Sequence, residues 1–393
     1  MSLFYRLHTD RTRTPALLED SFAGPTGSAC WLVGGGPSLG QLPHAEIAAS
    51  PIPKLCVNLA GSRLFRPDLW TSYDPSTRFH RTVYLDPRIL KFVHERRALD
   101  LVPGTTYKVC DCPSTVFFPR DVRRGYADFL SPAHTAIADW SDSLIQAIDI
   151  AYRLGFRTIY LAGADMQIHP SPPQLKLARR HGVHYSSGGL LQDFFRDCEQ
   201  AGLSLEELAR TAPASHYHFG ETRPLRTTAN ADQHYFRVVQ ALRLSRRNLA
   251  LAGVRLISVT PDSRLNDHFP YQSVRQALRD IRRTIGDPAC EPVRGLYSRT
   301  APRVPAGTGV MRDYRPHRWT ASGPPAGSRR APAAPHDDQP PIPQHDDQEY
   351  LVEEEGPVRL AARQPSQPPT PHHPQPAAFD QLPADHPQLQ EDG

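Results

Sequence analysis

The sequence predicts an α/β fold: a mostly parallel sheet with helices on both faces, an inserted lid-like segment and a disordered C-terminal tail. Three observations lead there. Short apolar runs stop at small or polar residues, as buried parallel strands do. Two later runs each follow a stretch of helical periodicity that ends at a glycine. Proline, at 41 of 393 residues, has 19 of its copies between Pro302 and Pro387. A segment so rich in proline and poor in aliphatic residues cannot bury enough apolar surface to offset its ordering entropy. The expected organisation is therefore an N-terminal extension over 1–24, one Rossmann-like domain over 25–290, with an insertion or lid at 166–232, and a proline-rich disordered tail over 300–393.

The elements follow in order. Residues 30–33 form an apolar run that stops at Gly34-Gly35-Gly36, a strand followed by a tight turn, with Pro37 suited to the first turn of a helix. A second strand at 54–57 ends at Asn58, and a third at 69–73 ends at Asp74-Pro75. Residues 89–99 read as helical, 107–110 as a strand and 112–138 largely as loops. Residues 139–154 place Leu144, Ile148, Ala151 and Tyr152 on one helical stripe, with Ser141 or Asp139 as N-cap and Gly155 as terminator. The strand at 157–162 then stops at Gly163-Ala164-Asp165. Within 166–232, helical pieces are expected at 190–200 and 204–209. A long helix over 232–251, a strand over 254–259 and a last helix over 273–285 complete the domain.

Composition excludes several classes. The formal charge of +4 is mild, and no dense basic stripe with interleaved aromatics is present, so no nucleic-acid partner is expected. The six cysteines (30, 56, 110, 112, 198, 290) have no paired zinc spacing and fit a reducing compartment. The first residues lack a signal-like apolar stretch, and no run of about 18 apolar residues occurs anywhere. A cytoplasmic location without a transmembrane segment is therefore expected. The tail is readable as a linker, a ligand for a protein partner or a dispensable extension.

In a parallel α/β sheet ligands bind along the carboxyl ends of the strands, and the glycine turn lies there. It is not a dinucleotide fingerprint, because position 39 is leucine, nor a P-loop, because no Gly-Lys-Ser/Thr follows. Its backbone N–H groups beside a helix start suit a phosphate; the plainer alternative is a turn required for close packing. Asn58, Asp74 and Asp165 follow strand ends on the same edge and are candidates for ribose or base contacts, or else turn and cap residues. The stretch Ser215-His216-Tyr217-His218 supplies candidate general bases. Two histidines at i and i+2 would share a strand face, but no third ligand at convincing spacing supports a metal. Arg63, Arg66, Arg78, Arg81 and Lys91 are candidate cations for a diphosphate, or a solvated surface. Arg243, Arg246 and Arg247 are expected to face water, and Trp31, Trp70 and Trp140 to lie in or near the core.

The order of these motifs resembles the single-domain bacterial sialyltransferases, which use CMP-sialic acid without a metal. The matching segments are Gly35-Gly36-Pro37-Ser38-Leu39, then Cys56-Val57-Asn58. Next come the helix beginning near Ser141, Gly155-Phe156, Ile159-Tyr160-Leu161 and Gly163-Ala164-Asp165. Last are the Ser-His-Tyr segment at 215–221 and Pro261-Asp262-Ser263. The family's base histidine falls at Gly220, so His218 is the nearest counterpart and His216 the second. The resemblance implies a glycosyltransferase-like enzyme that transfers a nucleotide-activated sugar to a hydroxyl acceptor. Gly35, Gly36, Pro37, Ser38, Asn58, Asp74, Ser143, Gly163 and Asp165 would line its nucleotide-sugar pocket, with no resident cofactor. A Gly-Pro-Ser-Leu turn also resembles proteins akin to archaeal 6-hydroxymethylpterin diphosphokinase, which implies ATP and Mg²⁺. Ser72-Tyr73-Asp74-Pro75 stands where that group has Asp-Leu-Asp-Gly. A third reading is a non-catalytic binding module that keeps the nucleotide fold.

Overall fold

The computed structural model describes residues 2–285 except 9, 24–27, 61–63, 65, 77, 78, 80, 123, 124, 213, 214 and 220; at 82, 215–217, 221–223 and 285 it describes the backbone alone. The expectations for the tail, Cys290, Arg63 and Arg78 lie outside the described residues. The strands are β1 (Tyr5–Leu7), β2 (Arg13–Pro15), β3 (Ala29–Val33), β4 (Lys54–Val57), β5 (Leu69–Thr71), β6 (Leu90–His94), β7 (Thr115–Phe118), β8 (Arg120–Asp121), β9 (Ile137–Ala138), β10 (Thr158–Ala162), β11 (Ser215–His218), β12 (Glu221–Arg223) and β13 (Arg255–Ser258). The helices are α1 (His44–Ala49), α2 (Arg81–Leu85), α3 (Ser143–Arg153), α4 (Pro172–Arg180), α5 (Leu191–Gln200), α6 (Leu205–Thr211), α7 (Leu225–Leu244), α8 (Arg246–Leu251) and α9 (Val274–Ile285).

One sheet runs in the order β13-β10-β3-β4-β5-β6-β7-β1-β2. It is parallel from β13 to β7 and antiparallel across β7, β1 and β2. The chain starts the parallel part at β3, lays strands outward to β7, then returns to place β10 on the other side of β3. The strand order reverses between β3 and β10, the topological switch point where such folds take ligands. The mixed α/β architecture read from the sequence is the one observed.

The central strands β3, β4, β5 and β6 are buried at every position, which is why they read as continuous apolar runs and not as alternating ones. The helix α3 is buried from Ser143 to Tyr152, beyond the single stripe expected. Its N-cap is Asp142, whose Oδ1 accepts from the Leu144 and Ile145 amides at 2.8 and 2.9 Å; neither Ser141 nor Asp139 caps it. Gly155 ends it at φ +100°, where a side chain would be strained.

Several expectations change. Residues 89–99 hold β6 and a short 3-10 turn over Glu95–Arg97, not a helix. The run Leu90-Lys91-Phe92-Val93 pairs on both sides with buried strands, and that pairing outweighs the helix formers after it. The strand expected at 107–110 is instead a 3-10 turn at Val109–Asp111, and the strand comes at β7. The long helix starts earlier, at Leu225, and breaks at Ser245 into α7 and α8. The first residues hold β1 and β2, which extend the sheet.

Within 166–232, α4 joins the two expected helices, started by a capping box of Ser171 and Gln174. These helices share an apolar cluster of their own, with Ile168, Phe194, Phe195, Leu203 and Leu208 at its centre and Leu225 and Ala229 of α7 against it.

Candidate functional site

At the switch point the glycine turn and the end of β10 meet backbone to backbone. The Gly34 N–H donates to the Ala162 carbonyl at 2.7 Å and the Gly36 N–H to the Gly163 carbonyl at 2.8 Å. A Cβ on Gly34 would lie 2.7 Å from the Gly163 carbonyl oxygen, and one on Gly36 would overlap the Asp165 carboxylate. Glycine is needed at both positions for clearance; Gly36 has an ordinary extended backbone, with φ −64°. Gly163 itself sits at φ +64°. The end of β13 braces the same corner, with Ser263 Oγ donating to the Ala164 carbonyl and Thr260 Oγ1 accepting from its amide at 3.1 Å.

These bonds narrow the expected cradle of amides. Ser38 donates from its N–H to Asp165 Oδ1 at 3.2 Å and from its hydroxyl to Oδ2 at 2.8 Å. Of the amides at 34, 35, 36 and 38, only that of Gly35 lacks a partner among the described residues. The helix after Pro37 is a five-residue 3-10 turn, Pro37–Gln41, so its dipole is weak. Asp165 is half-buried, and that burial raises its pKa against the opposing pull of the Ser38 bonds.

The predicted base comes to this turn from a distant part of the chain. The His218 ring packs over Gly35, where a Cβ would lie 3.6 Å from Cδ2, and the Phe219 amide donates to the Gly35 carbonyl at 2.8 Å. His218 Nε2 is 3.0 Å from the Tyr235 hydroxyl on α7. The β11–β12 hairpin that carries it has a bulge between His216 and His218. His216 pairs with Thr222; its side chain, and Gly220, lie outside the described residues.

Asn58 lies one strand over, at the end of β4, with φ +54°. Its Oδ1 accepts from Ser72 Oγ at 2.6 Å and from Ser143 Oγ at 2.9 Å. Both lone pairs are thereby taken, so the side chain's orientation is fixed. The same serines hold the next loop. Ser72 Oγ accepts from the Asp74 amide, and Ser143 Oγ from the Tyr73 amide, both at 3.0 Å. Asp74 is half-buried in a bend, and Pro75 follows it.

Sequence reasoning missed the cation of this edge, Arg120 on β8. Its guanidinium carbon lies 3.9 Å from the Tyr73 ring centroid, and its Nε donates to Gln146 Oε1 at 2.9 Å. Gln146 in turn donates to Thr71 Oγ1 at 2.6 Å and to the Ser72 carbonyl at 3.0 Å. Burial lowers the Arg120 pKa from its ordinary high value. It also pushes the neighbouring His94 down to about 3, with Arg120, Arg96 and Arg97 adding to the effect. The only sequence signal for Arg120 was its place directly after an apolar run, in a stretch without periodicity.

The other expected cations do not join them. Lys91 is fully buried at the start of β6, where its Nζ donates to the carbonyls of Asp86 at 2.8 Å and Ile89 at 3.0 Å. It is a core residue, because the strand it lies on has covered faces on both sides. Arg66 is half-buried and Arg81 exposed. Trp31 and Trp70 are in the core, and Trp140 packs on it in part. Among the described residues no three His, Cys, Asp or Glu side chains converge as a metal site would require, and no helix is long and apolar enough to cross a membrane.

Comparison with known proteins gives one finding of note. The sequence matches no protein-family model and no curated protein. Among solved structures, the sialyltransferase CstII from Campylobacter jejuni, in complex with the substrate analogue CMP-3FNeuAc, aligns over 62% of this chain and 86% of that one. The identity is 14% and the TM-score 0.29.

Proposed function

We propose that the chain is a glycosyltransferase-like enzyme that binds a nucleotide-activated sugar of the CMP-sialic acid type and transfers the sugar to a hydroxyl acceptor without a metal. The observation that carries this reading is the His218 ring lying over Gly35, with Nε2 against the Tyr235 hydroxyl. A histidine and a glycine turn, far apart in the chain, thereby come together at the switch point, where such folds take ligands.

In this reading the Gly35 N–H, the Asn58 Nδ2 donors and the Arg120 guanidinium contact the nucleotide phosphate and base. Ser143, Pro37 and Gly163 shape the pocket, and Asp165, an acceptor beside Ser38, takes a ribose or sugar hydroxyl. With His218 Nε2–H donating to Tyr235, Nδ1 takes the proton from the acceptor hydroxyl. The acceptor oxygen bonds to the anomeric carbon, and the bond from that carbon to the phosphate oxygen breaks. The nucleotide leaves with the electron pair, its growing charge met by the same donors.

Thermal unfolding with CMP-, UDP- and GDP-sugars, and with ATP and Mg²⁺, tests the reading. The CMP-sugar is expected to raise the midpoint and the others to leave it unchanged; no shift with any nucleotide overturns it. A shift with ATP and Mg²⁺ alone favours diphosphate transfer. His218→Gln is expected to keep the nucleotide shift and lose at least about a hundredfold in turnover. Unchanged turnover removes the base from the proposal.

A further inference from the structure

The 3-10 turn Tyr126–Asp128 is held against the far end of α7 and against α8. The Asn248 Nδ2 donates to the Tyr126 carbonyl at 2.7 Å, and the Tyr126 ring meets Trp140 edge-on at 5.2 Å between centroids. Exposed apolar side chains occur on these elements: Leu251 is 75% exposed, Leu244 56% and Tyr126 46%, and Val122, four residues before Tyr126 in the chain, is 72% exposed. Arg247, Asn248 and Leu251 lie together on α8, which the Asn248 bond sets beside the turn, and Leu244 ends α7 just before it. Arg243, Arg246 and Arg247 are exposed in the same stretch and meet no carboxylate among the described residues.

Aliphatic side chains exposed beside guanidiniums are the composition of an interaction surface. Their chemistry selects the cover. A second copy docking through a two-fold axis would bring the same three arginines face to face. A nucleic acid would gain from stacking, for which Tyr126 alone is suited, and nothing from leucine or valine. An anionic bilayer takes both parts: headgroup phosphates meet the arginines, and the aliphatic tips enter the acyl boundary. We propose that this face docks on an anionic lipid surface. Trp140, against which the turn packs, is followed by Ser141, whose hydroxyl lies 3.3 Å from that of Tyr73, and by Asp142, bonded to His234 at 3.1 Å. The docked face therefore adjoins the rim of the candidate site.

Co-sedimentation of the full chain with vesicles tests the proposal, comparing phosphatidylcholine alone with phosphatidylcholine plus phosphatidylglycerol. Binding to the anionic vesicles only is expected. R243E/R246E/R247E and L244S/L251S should each weaken it by about tenfold or more. R275E/R279E/R282E, an equal charge change on exposed positions of α9, should stay within about twofold of the parent, as expected of a charge distant from the contact. Unchanged thermal midpoints of the variants confirm that they fold. The proposal fails if anionic vesicles do not retain the chain, or if the two charge reversals weaken binding equally. It also fails if L244S/L251S has no effect while a single-stranded oligonucleotide binds, or if sedimentation equilibrium shows a dimer that L244S/L251S dissolves.

Discussion

Lys91 puts an ammonium group where water does not reach, with two backbone carbonyls as its hydrogen-bond partners among the described residues. Burial pulls its pKa from 10.5 down to about 7. The folded chain therefore binds fewer protons at this site than the unfolded chain between those two values. Stability should rise with pH across that window, and the full cost of burying the charge is present below about 7. Urea midpoints measured from pH 7 to pH 10 should show the rise, and Lys91→Met should flatten it while stabilising the protein at pH 7. An equal slope in both proteins would contradict the assignment. Clearance dominates at the glycine turn. Gly34→Ala should cost about 1–3 kcal/mol in urea unfolding, because a methyl must displace the end of β10. Gly34, Gly36 and Asn58 were legible in the sequence, since each follows an apolar run. The serines that fix Asn58 were less so, because their role depends on the end of β5 and the start of α3 meeting in space.

Among the elements, β3, β4, β10 and α3 could be read because local pattern and global packing agree there. The misread elements are those where the two conflict. β6 carries a lysine in its core and helix formers just after it, while β1 and β2 have three residues each, and β1's partner β7 lies more than a hundred residues away. The start of α7 was hidden for another reason: Leu225 and Ala229 pack against the helical segment before them and not against the sheet. That segment is tied down by a buried pair, Asp232 on α7 and Arg264. They meet at 3.2 Å, and the Asp232 carboxylate also accepts from the Ile168 and Leu191 amides at 3.0 and 2.9 Å. Asp232→Ala should cost about 3–5 kcal/mol, since it strands a buried cation and two amides. Hydrogen exchange should show protection lost first in α4–α6; loss spread evenly over the sheet would oppose this view.

Across the whole domain, one turn of α7 holds three regions together. Asp232 faces Arg264 and the helical segment, His234 meets Asp142 at the start of α3, and Tyr235 meets His218 on the hairpin. Tyr235→Phe should leave the urea midpoint within about 1 kcal/mol of the parent, the usual worth of one hydrogen bond. Under the proposed transfer it should lower kcat more than it raises KM, which steady-state kinetics would resolve.

The antiparallel end of the sheet also imposes an order of events. Tyr5 pairs with Phe117, so the strand made first must wait for one synthesised roughly ten seconds later at ordinary ribosomal rates. Until then β1 has only β2 beside it, and afterwards the outermost row is β2, three exposed residues ending in proline. A short strand carrying arginine and proline is a poor template for another chain. The hairpin made first thus works as a waiting seal: when β7 emerges, the strands that close its open side have already been synthesised.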